Sequence, residues 1–112
     1  MSDEQRRRTP RYTFIASAEL LEPQTEVRIA TRVSELSVHG CYMDMLNPFP
    51  VGTPVRVKIS ADAAEFQSKA RIVYAHPNLG VGVGFLDPEP QYLKVLQGWI
   101  SEAEKDPGRL IK

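Results

Sequence analysis

Apolar and polar residues alternate along most of the chain, and the alternation has the period of two expected of strands with one buried face. Phe14, Ala16, Ala18 and Leu20 fall on one parity, and Thr13, Ile15, Ser17 and Glu19 on the other. Glu22-Pro23-Gln24-Thr25 reads as a turn. Val27, Ile29, Thr31 and Val33 then alternate with Arg28, Ala30, Arg32 and Ser34, the clearest half-buried strand. The stretch Glu35 to Gly40 interrupts it, after which Cys41, Met43 and Met45 share a face opposite Tyr42 and Asp44. A loop rich in proline follows, from Asn47 to Gly52. Val55, Val57 and Ile59 alternate with Arg56 and Lys58; after a turn at Ala61 to Ala64, Phe66, Ser68, Ala70 and Ile72 oppose Gln67, Lys69 and Arg71. His76 to Gly80 breaks that run, and Val81, Val83 and Phe85 form the last strand. Gly82 and Gly84 leave its other face bare for approach by backbone or ligand.

The period then changes. Tyr92, Leu96 and Trp99 recur at helical spacing with Leu93 and Ile100 beside them, and Asp87 is placed to cap the helix. Glu102 to Lys112 reads as a fraying end. The pattern therefore predicts an all-β protein with a C-terminal helix. Its architecture is a small six-stranded antiparallel β-barrel whose helix covers one opening or edge. The domain is expected over residues 6–104, with a flexible tail at 1–5 and another at 105–112.

Composition narrows the picture. A chain of 112 residues makes one domain with a modest core. Its 14 basic residues balance 14 acidic ones, so bulk charge points to no polymeric nucleic acid as partner. A single cysteine, Cys41, excludes an internal disulfide, and its apolar register makes it a buried thiol rather than a nucleophile. The polar, acidic start is unlike a signal peptide, and no apolar run approaches the ~20 residues of a membrane span. A cytoplasmic protein is expected. His39, Cys41 and His76 fall short of the four ligands of a structural zinc, and no catalytic triad, carboxylate pair or phosphate loop stands out, so neither metal nor enzyme is expected.

Two stretches carry the candidate chemistry. The first is Arg6-Arg7-Arg8-Thr9-Pro10-Arg11, where four arginines fall within six residues. Guanidinium forks match phosphate oxygens and the O6/N7 edge of guanine, and Pro10 biases Thr9 towards an extended arm. The second is Glu35-Leu36-Ser37-Val38-His39-Gly40. Its carboxylate and hydroxyl oxygens accept hydrogen bonds from a guanine edge, and its glycine admits close backbone approach. Together they suit a guanine-bearing anion. A structural reading stands beside this one: Glu35 and Ser37 as turn caps, and Gly40 as a bulge glycine.

In this order and with this strand pattern, the two stretches resemble the PilZ domain family over roughly residues 6–104. Its signature is R-x-x-x-R followed by D/N-x-S-x-x-G. Arg7-Arg8-Thr9-Pro10-Arg11 matches the first element and Glu35 to Gly40 the second, with Gly82-Val83-Gly84-Phe85 similar to the last strand. The resemblance implies a six-stranded barrel that acts as a receptor for cyclic di-GMP, not as an enzyme, and that signals to an effector protein. Carried over, Arg7 and Arg11 contact guanine edges and phosphates, while Ser37 and Gly40 line the other side of the groove. Glu35 stands where the family has Asp or Asn and is one methylene longer. Arg6, just before the motif, is similar to members that take an intercalated dimer of the nucleotide. Two rival functions remain: a PilZ-like interaction module without nucleotide, marked by Glu35, and a small barrel binding single-stranded nucleic acid.

Overall fold

The structure, a computed structural model, describes residues 9–112. The expected tail at 1–5 and the arginines Arg6, Arg7 and Arg8 lie outside the described residues. Six long strands build the fold: β1 (Arg11–Glu22), β2 (Val27–Leu36), β3 (Gly40–Asp44), β4 (Pro54–Ala61), β5 (Ala64–His76) and β6 (Gly80–Leu86). Every pairing is antiparallel. β1 pairs with β2 on one side and β4 on the other, so the order β1–β2–β3–β6–β5–β4 closes on itself as a barrel. Closure leaves each of the six strands paired on both sides over at least part of its length.

Over most strands the alternation seen in the sequence becomes the barrel's inside and outside; on β2 it does so fully only at Val33, while Val27 is exposed and Ile29 and Thr31 are partly buried. Leu20, Val33, Met43, Ile59, Phe66, Ile72 and Val81 are wholly buried. Phe66 packs against Phe85 with ring centroids 4.7 Å apart and meets Tyr92 edge-on at 6.4 Å. Helix α1 (Pro90–Glu104) covers the barrel with Leu96, Trp99, Ile100 and Ala103; the Trp99 ring lies 5.2 Å from that of Phe14. Cys41 is buried in the same core, and burial pushes its thiol far above the usual range. Among the described residues no helix is long and apolar enough to cross a membrane.

Two expectations are corrected at the ends of the helix. Asp87 does not cap it. Asp87 sits in the left-handed region (φ 49°), and the helix starts at Pro90 with Glu89 as the cap residue. Pro90 lacks one of the two N–H groups that a cap at Asp87 could serve, whereas proline suits the first helical position. Nor is the C-terminus a fraying tail. The helix runs through Glu104, a 3-10 turn spans Pro107–Arg109, and β7 (Leu110–Ile111) pairs with Tyr12 and Arg11 of β1. Asp106 accepts from Gly108 N at 3.0 Å. Arg109 donates from Nε to the Thr13 carbonyl at 3.1 Å and lies over the Phe14 ring. Two residues of strand are too short to show a period in sequence.

The β4–β5 hairpin turns on Asp62 and Ala63, both at positive φ (51° and 61°). This is the two-residue hairpin geometry that favours Asn-Gly. The alanine Cβ is crowded there, so Ala63→Gly is expected to stabilise the domain by about 0.5–1 kcal/mol, read as a raised thermal midpoint.

Candidate functional site

Arg11, at the end of the first candidate stretch, meets the second stretch on one outer wall of the barrel. Arg11 opens β1, and Glu35 lies near the end of β2. The register puts Thr13 opposite Glu35, Glu35 opposite Tyr42, Tyr42 opposite Gly82, and Gly82 opposite Tyr74. Arg11 Nη1 approaches Glu35 Oε1 to 3.5 Å, with both side chains half-exposed. Of the arginine run, Arg11 is the member within the described residues, and it meets the second stretch directly.

Glu35 reaches this wall through an irregularity. Strict alternation from the buried Val33 would turn Glu35 inward. The register slips between Val33 and Glu35 against β3, so two steps along β2 match one along the partner, and Glu35 faces out. β5 does the same between Ile72 and Tyr74, which carries Tyr74 to the outside. Such bulges re-aim a side chain without breaking the sheet.

Ser37 and Gly40 shape the neighbouring loop. Ser37 Oγ accepts from the N–H groups of His39 and Gly40, each at 3.2 Å, and Ser37 N donates to the Gly40 carbonyl at 2.9 Å. The hydroxyl is buried and holds the turn closed, the local capping role that serines favour. Gly40 sits against β6: a Cβ there would come within 2.1 Å of the Val83 carbonyl oxygen. Only glycine allows the two backbones to approach so closely. His39, from the same loop, accepts from Phe85 N through its carbonyl at 2.8 Å.

Sequence reasoning missed an aromatic cluster on this wall. Tyr42, Tyr74 and His76 lie with ring centroids 5.3 to 6.1 Å apart. The Tyr42 hydroxyl and His76 Nδ1 are hydrogen-bonded at 3.0 Å. The space expected to stay bare over β6 is partly filled by these rings. A Cβ on Gly82 would strike the Tyr74 ring at 2.3 Å, and one on Gly80 would meet the Tyr42 ring at 2.6 Å. Sequence spacing held one clue: Tyr42 shares a polar parity with Asp44, which already implied an outward ring. Partial burial, with Tyr74 and Glu35 nearby, raises the Tyr42 hydroxyl above its ordinary value. Burial likewise raises Tyr74, opposed by the adjacent Arg11 guanidinium. Both are therefore neutral donors at neutral pH. Arg32 and Asp44 form an ion pair at 2.7 Å at the far end of the wall.

Concave spaces elsewhere belong to other parts of the molecule. One lies at the β4–β5 hairpin tip, and another, of about 550 Å³, is lined by Arg56, Lys69, Asp87 and Tyr92. Neither includes a motif residue. Among the described residues no group of three or more His, Cys, Asp or Glu is placed to hold a metal ion.

Solved structures share the barrel fold. The PilZ domain of CeSA from a cellulose-synthesizing bacterium superposes with a TM-score of 0.67 at 21% identity, covering 84% of this chain and 97% of that one. The PilZ domain of YcgR from Escherichia coli, solved with c-di-GMP, gives 0.70 at 17% identity over 90% and 93%. The Bacillus subtilis inhibitor of motility gives 0.72 at 14% identity, covering 92% of this chain and 53% of that one. No curated protein sequence matches significantly. The family model of the PilZ domain matches residues 5–102, and with a barrel of the same build the chain belongs to the PilZ domain family.

Proposed function

We propose that the protein is a cyclic di-GMP receptor. In this reading the nucleotide lies on the outer wall between the arginine arm and the Glu35–Gly40 loop. The observation that carries it is the meeting of Arg11 and Glu35 at 3.5 Å, half-exposed, beside a loop that Ser37 and Gly40 hold in shape. A guanidinium and a carboxylate side by side supply donors for O6, N7 and phosphate and an acceptor for the N1–H and N2–H₂ edge. Family membership and the c-di-GMP held by the Escherichia coli YcgR domain support the same ligand. Arg6 and Arg7 complete the cationic side, and Arg6 favours an intercalated dimer by offsetting charge between stacked nucleotides. No chemical step is involved: binding changes the surface around the arm and the loop, and an effector protein reads that change.

Ser37 enters through the turn it closes, because its hydroxyl already serves two backbone donors. Gly40 enters through the close approach of β3 to β6. The departure at Glu35 is absorbed by its partner: the longer carboxylate reaches Arg11 across the strand pair.

Calorimetric titration with cyclic di-GMP tests the reading, and two nucleotides per protein at saturation are expected. Glu35→Ala should weaken binding more than ten-fold by removing the acceptor for the guanine edge. Glu35→Asp should stay within about five-fold of the unmutated protein, since an exposed Arg–carboxylate pair is worth only ~0–1 kcal/mol. A second reading rests on the same ion pair, in which the two motif side chains satisfy each other and the domain works as a nucleotide-independent interaction module. A large gain in affinity for Glu35→Asp, or no binding by the unmutated protein, would favour that second reading.

A further inference from the structure

Tyr42, Tyr74 and His76 belong to neither motif and lie together on the barrel's exterior. Each tyrosine ring occupies the place where β6 lacks a side chain. Gly80 leaves room for Tyr42 and Gly82 for Tyr74, with distances so short that no Cβ fits beneath. The rings therefore lie down on the sheet instead of standing up from it. The rings are tilted to one another by 31° between the tyrosines and by 38° to 42° with His76. The Tyr42–His76 hydrogen bond pins two of the three. The result is a tiled aromatic surface with His76 exposed and both tyrosines half-buried. Glu35 stands directly across the strand pair from Tyr42, and Arg11 stands beside Tyr74.

We infer that this tile is a stacking wall for one guanine of the bound nucleotide, with Glu35 and Arg11 reaching the edge of the same base. The inference rests on the receptor reading and adds to it the surface that takes the base's face. Hydrogen bonds select a base by its edge but leave its face to be desolvated, and aromatic rings do that for any purine. Rings laid flat over glycine backbone give a platform wider than one side chain, and a purine needs such width. Covering the bare backbone of Gly80 and Gly82 explains why the rings lie flat. It does not explain why they gather around the one place where Arg11 and Glu35 meet.

The test is titration of the full chain with cyclic di-GMP, comparing the unmutated protein with Tyr42→Leu, Tyr74→Leu and Tyr74→Phe. Leucine keeps apolar cover over the glycines but removes the π face; phenylalanine keeps the face. The expected result is at least a five-fold loss of affinity for each leucine variant and near-unmutated affinity for Tyr74→Phe. In the unmutated protein, aromatic proton resonances of Tyr42, Tyr74 and His76 should move upfield on saturation, a readout that needs no variant to fold. If the unmutated protein binds while the leucine variants bind equally well and those resonances stay in place, the wall is refuted and the receptor reading stands. If the folded, unmutated protein binds no nucleotide, both are refuted.

Discussion

Arg11→Ala is expected to weaken cyclic di-GMP binding at least ten-fold while leaving the fold intact. One bidentate arginine–guanine contact is worth ~1–3 kcal/mol, and 1.4 kcal/mol is a factor of ten, so the lower half of that range already approaches the predicted loss. The resting partner of Arg11 does not compete strongly. The Arg11–Glu35 pair is half-exposed, at 3.5 Å, and pairs of that kind contribute ~0–1 kcal/mol. A ligand offering a phosphate or the O6/N7 edge therefore draws the guanidinium away from Glu35 at little cost. The same weakness protects the fold of the variant. Glu35 left alone keeps its access to water, so the thermal midpoint should move by no more than a few degrees. Calorimetry and thermal melting of the same sample separate the outcomes. A double Arg7→Ala/Arg11→Ala variant should bind below detection. Undiminished binding by that folded double variant would remove the arginine arm from the site.

Gly40→Val is expected to destabilise the domain by about 3 kcal/mol and to lower its thermal midpoint by more than about 10 °C. The first added carbon already meets the Val83 carbonyl oxygen at 2.1 Å, and that oxygen belongs to the backbone of a central strand. A side chain could swing aside; a strand paired on both edges cannot. β3 would have to move off β6, breaking the register that also holds Tyr42 opposite Gly82. Nucleotide binding should fall with stability, because the Ser37 turn closes on Gly40. Gly98→Ala supplies the contrast. Gly98 lies on the exposed face of α1 with nothing within 4 Å of an added Cβ. There the substitution should stabilise by about 1 kcal/mol, the ordinary helix preference for alanine. Equal melting of the Gly40→Val and unmutated proteins would mean that β3 and β6 can separate freely.

The two glycines are the same residue in a crowded strand and on an open helix face, and that difference marks how far a sequence can be read. The alternation of Phe14, Ala16, Ala18 and Leu20 against Thr13, Ile15, Ser17 and Glu19 states locally which face is buried, and the barrel keeps it. The same holds for Val55, Val57 and Ile59 on β4 and for Cys41, Met43 and Met45. The arginine run and the Glu35–Gly40 stretch are visible as chemistry because residue type and spacing are local properties. The short β7 strand is not legible, since its reason to exist is Arg109 reaching the Thr13 carbonyl and Phe14 from the far end of the chain.

The six barrel strands, the helix, most of the core and the two motifs can be read along the chain, because period two, period 3.6 and functional groups are written there. Assembly of the site belongs to the folded barrel. Register slips before Glu35 and Tyr74 reverse the alternation and turn both side chains outward, and such slips depend on neighbouring strands rather than on the strand itself. Pairing of the first strand with the second then brings Arg11 against Glu35, and pairing of the third and fifth strands with the sixth sets Tyr42 and Tyr74 over its glycines. Those juxtapositions cross the sheet at right angles to the chain, a direction in which a linear pattern carries no information.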